Sequence, residues 1–301
     1  MQGIEINVSQ FENLFSPLFI FIDDIGKLIS RQKVQPRDRH RPVVRIRKIF
    51  ALAQIPLLIV QAGTPSEEIR APLGDLPAWF CQALNRLVDT VRVIRVFEGE
   101  DLPAPDAGCA AIITGSWSMV TDREPWSEAT ADWIRKAMAL EMPLFSVCYG
   151  HQLMAHALGG SVDFHPEGRE IGCQTIEVLP EAADDTLLGA WPARFAAHLT
   201  HMQTVIELPP GARVLARSVH DPHQIVRYGH KAISTQFHPE FTPAISSAII
   251  RARADVLRQE GKDPTALLDA VEEAPEAARL LREFLRIAFN QDSKIEAQIG
   301  V

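Results

Sequence analysis

Cys148 stands where an apolar strand meets a helix of small residues, in the run Met142-Pro-Leu-Phe-Ser-Val-Cys-Tyr-Gly-His-Gln-Leu-Met-Ala-His-Ala-Leu-Gly-Gly160. This is the layout of a nucleophile elbow: a strand carries the residue to its end, a sharp turn lifts it clear, and a helix begins behind it. Ser146 and Gly150, two residues to either side, are small enough for the chain to turn without a clash. The helix N-terminus supplies partial positive charge and unpaired N–H groups, which favour a thiolate. Far downstream, Ser234-Thr-Gln-Phe-His-Pro-Glu240 places a histidine and a glutamate two residues apart around a proline. Alternate residues of a strand face one side, so Glu240 is expected to hold the imidazole of His238 while His238 serves the thiol. Together the three residues can form a catalytic triad with a thiol nucleophile.

Such a constellation needs a rigid frame, and the flanking segments supply one. Ile55 to Gly63 is a continuous apolar run, as expected of a parallel strand buried on both faces. Leu76 to Val88 reads as a helix and Val91 to Phe97 as a strand. Ala110 to Thr114 reads as a strand, Ser127 to Leu140 as a helix capped by Ser127, and Leu144 to Val147 as the strand of the elbow. The alternation predicts an α/β fold, a mostly parallel central sheet with helices on both faces. Ligands of such sheets bind beyond the carboxyl ends of the strands, where Gly115 and Cys148 both fall. From Ser161 to Thr235 short β segments predict antiparallel additions, among them Gln174–Leu179, Val214–Ser218 and Gln224–Tyr228. Ala244–Glu260 and Pro264–Asn290 read as two helices. The chain thus divides into a leader (1–50), a catalytic domain (51–242) and a C-terminal helical appendage packed on it (243–301). The leader, Arg-rich and without helical or strand period, is expected to be poorly ordered or loosely attached.

Cys-Tyr-Gly-His-Gln after a buried strand, followed by His-Pro-Glu, resembles the class I (triad-type) glutamine amidotransferases, in particular stand-alone domains similar to the amidotransferase half of GMP synthase. The resemblance runs from about Ile55 to Glu240 and implies a flavodoxin-like α/β fold. Ile112-Ile-Thr-Gly-Ser-Trp117 resembles the family's oxyanion loop, Gly168-Arg-Glu-Ile-Gly172 its post-elbow strand, and Thr200-His-Met-Gln-Thr-Val205 its substrate-facing loop. The implied roles follow residue by residue. Cys148 is the nucleophile, His238 the proton shuttle and Glu240 its orienting carboxylate. The backbone N–H groups of Gly115 and Tyr149 form the oxyanion hole, while Gln152, His201 and Gln203 contact substrate. Arg169 and Glu170 could bind the substrate carboxylate and amine or pair with each other, and the mutual ion pair is the preferred reading. Ser146 replaces a common glycine, and Gln203 a common aspartate; the second departure bears on which substrate is bound.

Composition narrows the alternatives. The 301 residues carry a net charge of −8, divided unevenly: residues 1–50 are net +4 and the remainder net −12. An acidic catalytic region is a poor partner for nucleic acid. Cys81, Cys109, Cys148 and Cys173 are widely spaced and form neither a zinc nor a redox motif. His198 and His201 should point to opposite faces of a strand, so no metal is expected, and no cofactor. Asp23 and Asp24 end the apolar stretch Leu14–Ile22 well short of the roughly 18–20 residues of a membrane span. With no signal-peptide pattern, a cytoplasmic protein acting on a small molecule is expected. Three functions fit: a glutamine-hydrolysing enzyme supplying ammonia to a separate synthetase chain, a γ-glutamyl peptidase using the same triad, and a non-catalytic regulatory binder. A separate chain is invoked because no phosphate-binding loop is found and the segment after Glu240 is too short for a synthetase.

Overall fold

Strands β2 (Leu57–Gln61), β4 (Ala110–Ile113) and β5 (Leu144–Val147) are buried at every position, because each is covered on both faces. Alternation decides which face each side chain serves. Leu57, Ile59, Ala110, Ile112, Phe145 and Val147 join one core layer; Leu58, Val60, Ala111, Ile113 and Leu144 join the other. Helices α3 (Pro125–Ala139) and α4 (Tyr149–Ala157) cover the second layer through Ile134, Leu153 and Met154. Helix α2 (Leu76–Leu84) and the C-terminal α8 (Pro275–Ile299) cover the first through Phe80 and Phe284. Phe284 meets Phe145 edge-on at 5.3 Å between ring centroids.

The computed structural model describes residues 5–7, 56–85, 87–88 and 90–299. Its main sheet has ten strands in the order β1 (Glu5–Asn7), β3 (Thr90–Arg95), β2, β4, β5, β12 (Ala232–Thr235), β11 (Ile225–Gly229), β10 (Arg213–Arg217), β7 (Glu170–Val178) and β8 (Arg194–His201). The parallel centre consists of β3, β2, β4, β5 and β12. Antiparallel strands extend it beyond β12: β11, β10, β7 and β8. A separate two-stranded antiparallel sheet joins β6 (Ser161–Phe164) to β9 (Gln203–Glu207), with β7 and β8 between them in the chain. The expected leader lies outside the described residues except for β1, which pairs antiparallel with β3.

Three sequence expectations need correction. Ser127 does not cap α3: the helix begins at Pro125, whose missing N–H suits a first turn, and the Ser127 hydroxyl meets the Tyr149 hydroxyl at 2.6 Å. The helix read across Ala244–Glu260 is two, α5 (Pro243–Ala252) and α6 (Ala254–Gln259), separated at Arg253. The second predicted helix is likewise divided, into α7 (Pro264–Asp269) and α8, because residues 271–274 leave helical geometry before Pro275. The short α1 (Glu67–Leu73), which periodicity did not reveal, packs against α5.

Gly150 fixes how closely α4 approaches the sheet. A Cβ built there would lie 2.5 Å from the Ile113 carbonyl oxygen, so Gly150→Ala must push the helix off β4. The expected loss is about 3 kcal/mol, the upper end of overpacking costs. Gly229→Ala, whose new methyl meets only Met138 at 3.6 Å, should stay within about 1 kcal/mol of the parent. Urea unfolding of the two variants checks the contrast; equal stabilities would refute the close-approach argument.

Candidate active site

Cys148 is both the end of a strand and the start of a helix. Its N–H donates to the Thr235 carbonyl at 2.8 Å, continuing the β5–β12 ladder, and its carbonyl accepts the Gln152 N–H at 3.0 Å. Joining these two bonds forces the backbone to φ 52° and ψ −103°, a region that residues with a Cβ rarely enter. Gly150 locks the turn from the other side by donating to the Thr114 carbonyl at 3.2 Å. The result leaves Cys148 at the edge of the first core layer, where it also lines a cavity.

His238 and Gly115 close around it. A Cβ on Gly115 would lie 3.0 Å from His238 Cε1 and 3.6 Å from Cys148 Cβ, so the three residues sit side by side. The His238 N–H donates to the His198 carbonyl at 2.9 Å, and its ring stacks on Phe241 at 3.9 Å between centroids. Nδ1 lies 2.8 Å from Glu240 Oε1. An ionised carboxylate only accepts, so Nδ1 carries the proton. Nε2 makes no hydrogen bond among the described residues, which leaves it available to the thiol. The expected His238–Glu240 pairing is thus present, but not through strand alternation. Strand β12 stops at Thr235, and the pairing is made in the turn that follows it.

Burial alone would push the Cys148 thiol up and the His238 imidazole down. Attraction between opposite charges wins in both cases: the thiol falls below its ordinary value through the His238 charge, and the imidazole is raised to about 10, first by Glu240 and then by Cys148. The pair therefore favours thiolate and imidazolium, the reactive combination. Neither the Gly115 nor the Tyr149 N–H enters a turn or loop hydrogen bond with backbone among the described residues.

A cavity of about 130 Å³ opens beside the thiol. Gln152, His201 and Gln203 all line it, yet their polar atoms also build its walls. Gln152 Nε2 donates to the Gln203 carbonyl at 2.6 Å and to Gln236 Oε1 at 2.9 Å. The Gln203 side chain accepts from the Val120 N–H and donates to the Thr121 hydroxyl, pinning the facing loop. His201 holds Glu170 at 2.9 Å and the Gln203 carbonyl at 3.0 Å. Burial opposes charge on His201, but the Glu170 hydrogen bond and the Asp221 charge raise its pKa above the ordinary value. Glu170, His201 and Asp221 have ligand atoms within 4.8 Å of one another; Ser218, Gln224 and Thr204 already satisfy the two carboxylates.

Arg169 does not pair with Glu170. Successive residues entering β7 point to opposite sides, and Arg169 reaches Glu260 beyond α6, with Nε 3.0 Å from Oε2. Sequence reasoning missed Arg253, which lines the same cavity. Its only signal was the helical break, and the residues around it give no breaker to betray one. Among the described residues no helix is long and apolar enough to cross a membrane.

Comparison with known proteins agrees with this geometry. Residues 108–253 match the family model described as glutamine amidotransferase class-I. The glutamine amidotransferase-like protein YfeJ of Salmonella typhimurium is 31% identical over 183 residues, covering 58% of this chain and 74% of YfeJ. The chain belongs to the class I glutamine amidotransferases. A glutamine amidotransferase of Thermotoga maritima superposes with a TM-score of 0.59 at 23% identity, covering 79% of this chain and 97% of that one, and so shares the amidotransferase fold. The glutamine-hydrolysing GMP synthase of Thermomicrobium roseum is 37% identical over 130 residues, 42% of this chain. This amidotransferase chain spans only 23% of that relative's length.

The thiols should separate by pH. Burial raises Cys81, Cys109 and Cys173, whereas Cys148 is lowered. Cys148 should therefore be alkylated by iodoacetamide at a pH where the other three remain protonated, and its rate should fall only at more acidic pH. Peptide mass mapping across a pH series checks the order; uniform labelling of all four would contradict the thiolate–imidazolium pair.

Proposed function

We propose that the protein hydrolyses the side-chain amide of glutamine through a thioester on Cys148, releasing ammonia. The observation that carries this reading is an elbow cysteine meeting, beside one cavity, a histidine oriented by a carboxylate. The Cys148 thiolate attacks the amide carbon and forms a C–S bond, and the carbonyl oxygen takes up negative charge. The Gly115 and Tyr149 N–H groups receive that oxyanion, a stabilisation worth about 3–4 kcal/mol per donor. As the C–N bond breaks, the imidazolium of His238 gives its proton to the departing nitrogen, which leaves as ammonia. His238, now neutral, takes a proton from water; the hydroxide attacks the thioester, and the C–S bond breaks to give glutamate and the original thiolate. Glu240 keeps the ring in register and stabilises its charged form. Ammonia would then pass to a separate synthetase chain.

A second reading keeps the triad and changes the leaving group. Arg169 lines both the inner cavity and a larger outer cleft of about 630 Å³. That cleft gives room for the amino acid released from a γ-glutamyl peptide. Ammonia release from glutamine, measured against amino-acid release from γ-glutamyl dipeptides, decides between the two.

Cys148→Ala should lower turnover by several powers of ten, since losing the nucleophile disables the whole triad. His238→Ala should cost nearly as much, and Glu240→Gln less, because residue 240 transfers no proton. Steady-state turnover with single-turnover thioester formation checks the order. More than a tenth of wild-type turnover in Cys148→Ala would sink the thiol mechanism, and a silent Glu240→Gln would reduce the triad to a dyad.

A further inference from the structure

The break between α5 and α6 is where the C-terminal helices reach the cavity. Arg253 takes φ −102° and ψ 6° there, ending one helix and starting the next. Its half-buried side chain lines the same cavity as Cys148, beside the wall formed by Thr200, Met202 and Gln203. Glu260, one helix further, takes Arg169 on two nitrogens, with Nη2 3.1 Å from Oε1. The charge of Arg169 is therefore matched. The Cys148 thiolate is matched by His238, and Glu170 by His201. Asp221 accepts from Thr204 and the His223 N–H, lies 4.0 Å from His201, and does not line the cavity.

Arg253 is the exception. No hydrogen bond or ion pair reaches its guanidinium among the described residues. Burial, and then the positive charge of Arg169, push its pKa down, against a weaker attraction from Cys148 and Glu260, neither of which hydrogen-bonds it. A guanidinium offers five donors in a fixed planar fork that fits a carboxylate, and leaving it half-buried and unpaired is unfavourable. An anion entering the cavity would relieve that cost. The γ-glutamyl group carries one: its amide end must face Cys148, and its other end bears the α-carboxylate.

We propose that Arg253 is a substrate-binding residue whose guanidinium takes the α-carboxylate of the γ-glutamyl group attacked by Cys148. The assignment rests on the function proposed above and makes the C-terminal helices part of the specificity site. A free α-carboxylate is then required of every good substrate, whichever leaving group it carries.

The test compares glutamine with its α-carboxamide, in which that carboxylate is neutral, using the full chain. Wild-type protein should favour glutamine in kcat/KM. Arg253→Gln should raise KM for glutamine about 10- to 100-fold, the worth of a hydrogen bond to a charged group, with kcat nearly retained and the preference over the α-carboxamide largely lost. Arg253→Lys keeps the charge without the fork and should fall between; it also serves as the readout if the Gln variant does not fold. A preference for glutamine that survives unchanged in a folded variant overturns the Arg253 assignment alone. Wild-type protein that hydrolyses neither glutamine nor γ-glutamyl dipeptides overturns the proposed function and this inference with it.

Discussion

The backbone at Cys148, at φ 52° and ψ −103°, costs of order 1–3 kcal/mol relative to an ordinary conformation. It persists because the elements on either side cannot relax independently. Strand β5 is held by β4 and β12, with Leu144, Phe145 and Val147 completely buried. Each such side chain stabilises the fold by about 1.5–3 kcal/mol relative to exposure, so the strand more than offsets the strain at its end. Helix α4 is tied down in turn by the absence of a Cβ at Gly150 and by the packing of Leu153 and Met154.

Given that fixed point, the surrounding parts have narrow tolerances. A methyl group at Gly115 would crowd His238 Cε1 at 3.0 Å and displace the ring by a few tenths of an ångström unless the loop moved. His238 is held by its own N–H, by the ring of Phe241 and by Glu240, three restraints of different kinds. The cavity walls are fixed by a continuous polar network in which Gln152 and His201 both bond the Gln203 carbonyl and His201 also bonds Glu170. Such a network is rigid only when its members are satisfied, and most of these groups are. Among the described residues, His238 Nε2 is one of several buried polar atoms without a partner, and the Arg253 guanidinium, which lines the cavity, makes no hydrogen bond or ion pair.

The C-terminal helices belong to this arrangement rather than standing beside it. Glu260 secures Arg169, Arg253 enters the cavity lining, and α8 covers one face of the sheet that carries the elbow. A segment that covers the core can thereby also shape the site, because both depend on the same carboxyl edge of the parallel strands.

Much of this was legible in the sequence. Buried parallel strands leave continuous apolar runs, and an elbow needs small residues around its nucleophile, so β2, β5, Cys148 and Gly150 could be read from residue type and order alone. The pairing of His238 with Glu240 was also foreseen, although the strand invoked for it is a turn. Local pattern could not decide partners that lie far apart in the chain. Arg169 sits next to Glu170 in sequence but pairs with Glu260, because the start of β7 sends neighbours to opposite sides and the fold brings the end of α6 to one of them. The break at Arg253 was hidden for the same reason: its surroundings carry ordinary helical composition, and only the packing of α5 against α1 and β7 fixes where the helix must turn. Local chemistry determined the elbow around Cys148 and its frame; tertiary packing decided that Arg169 pairs with Glu260 and that Arg253 reaches the cavity.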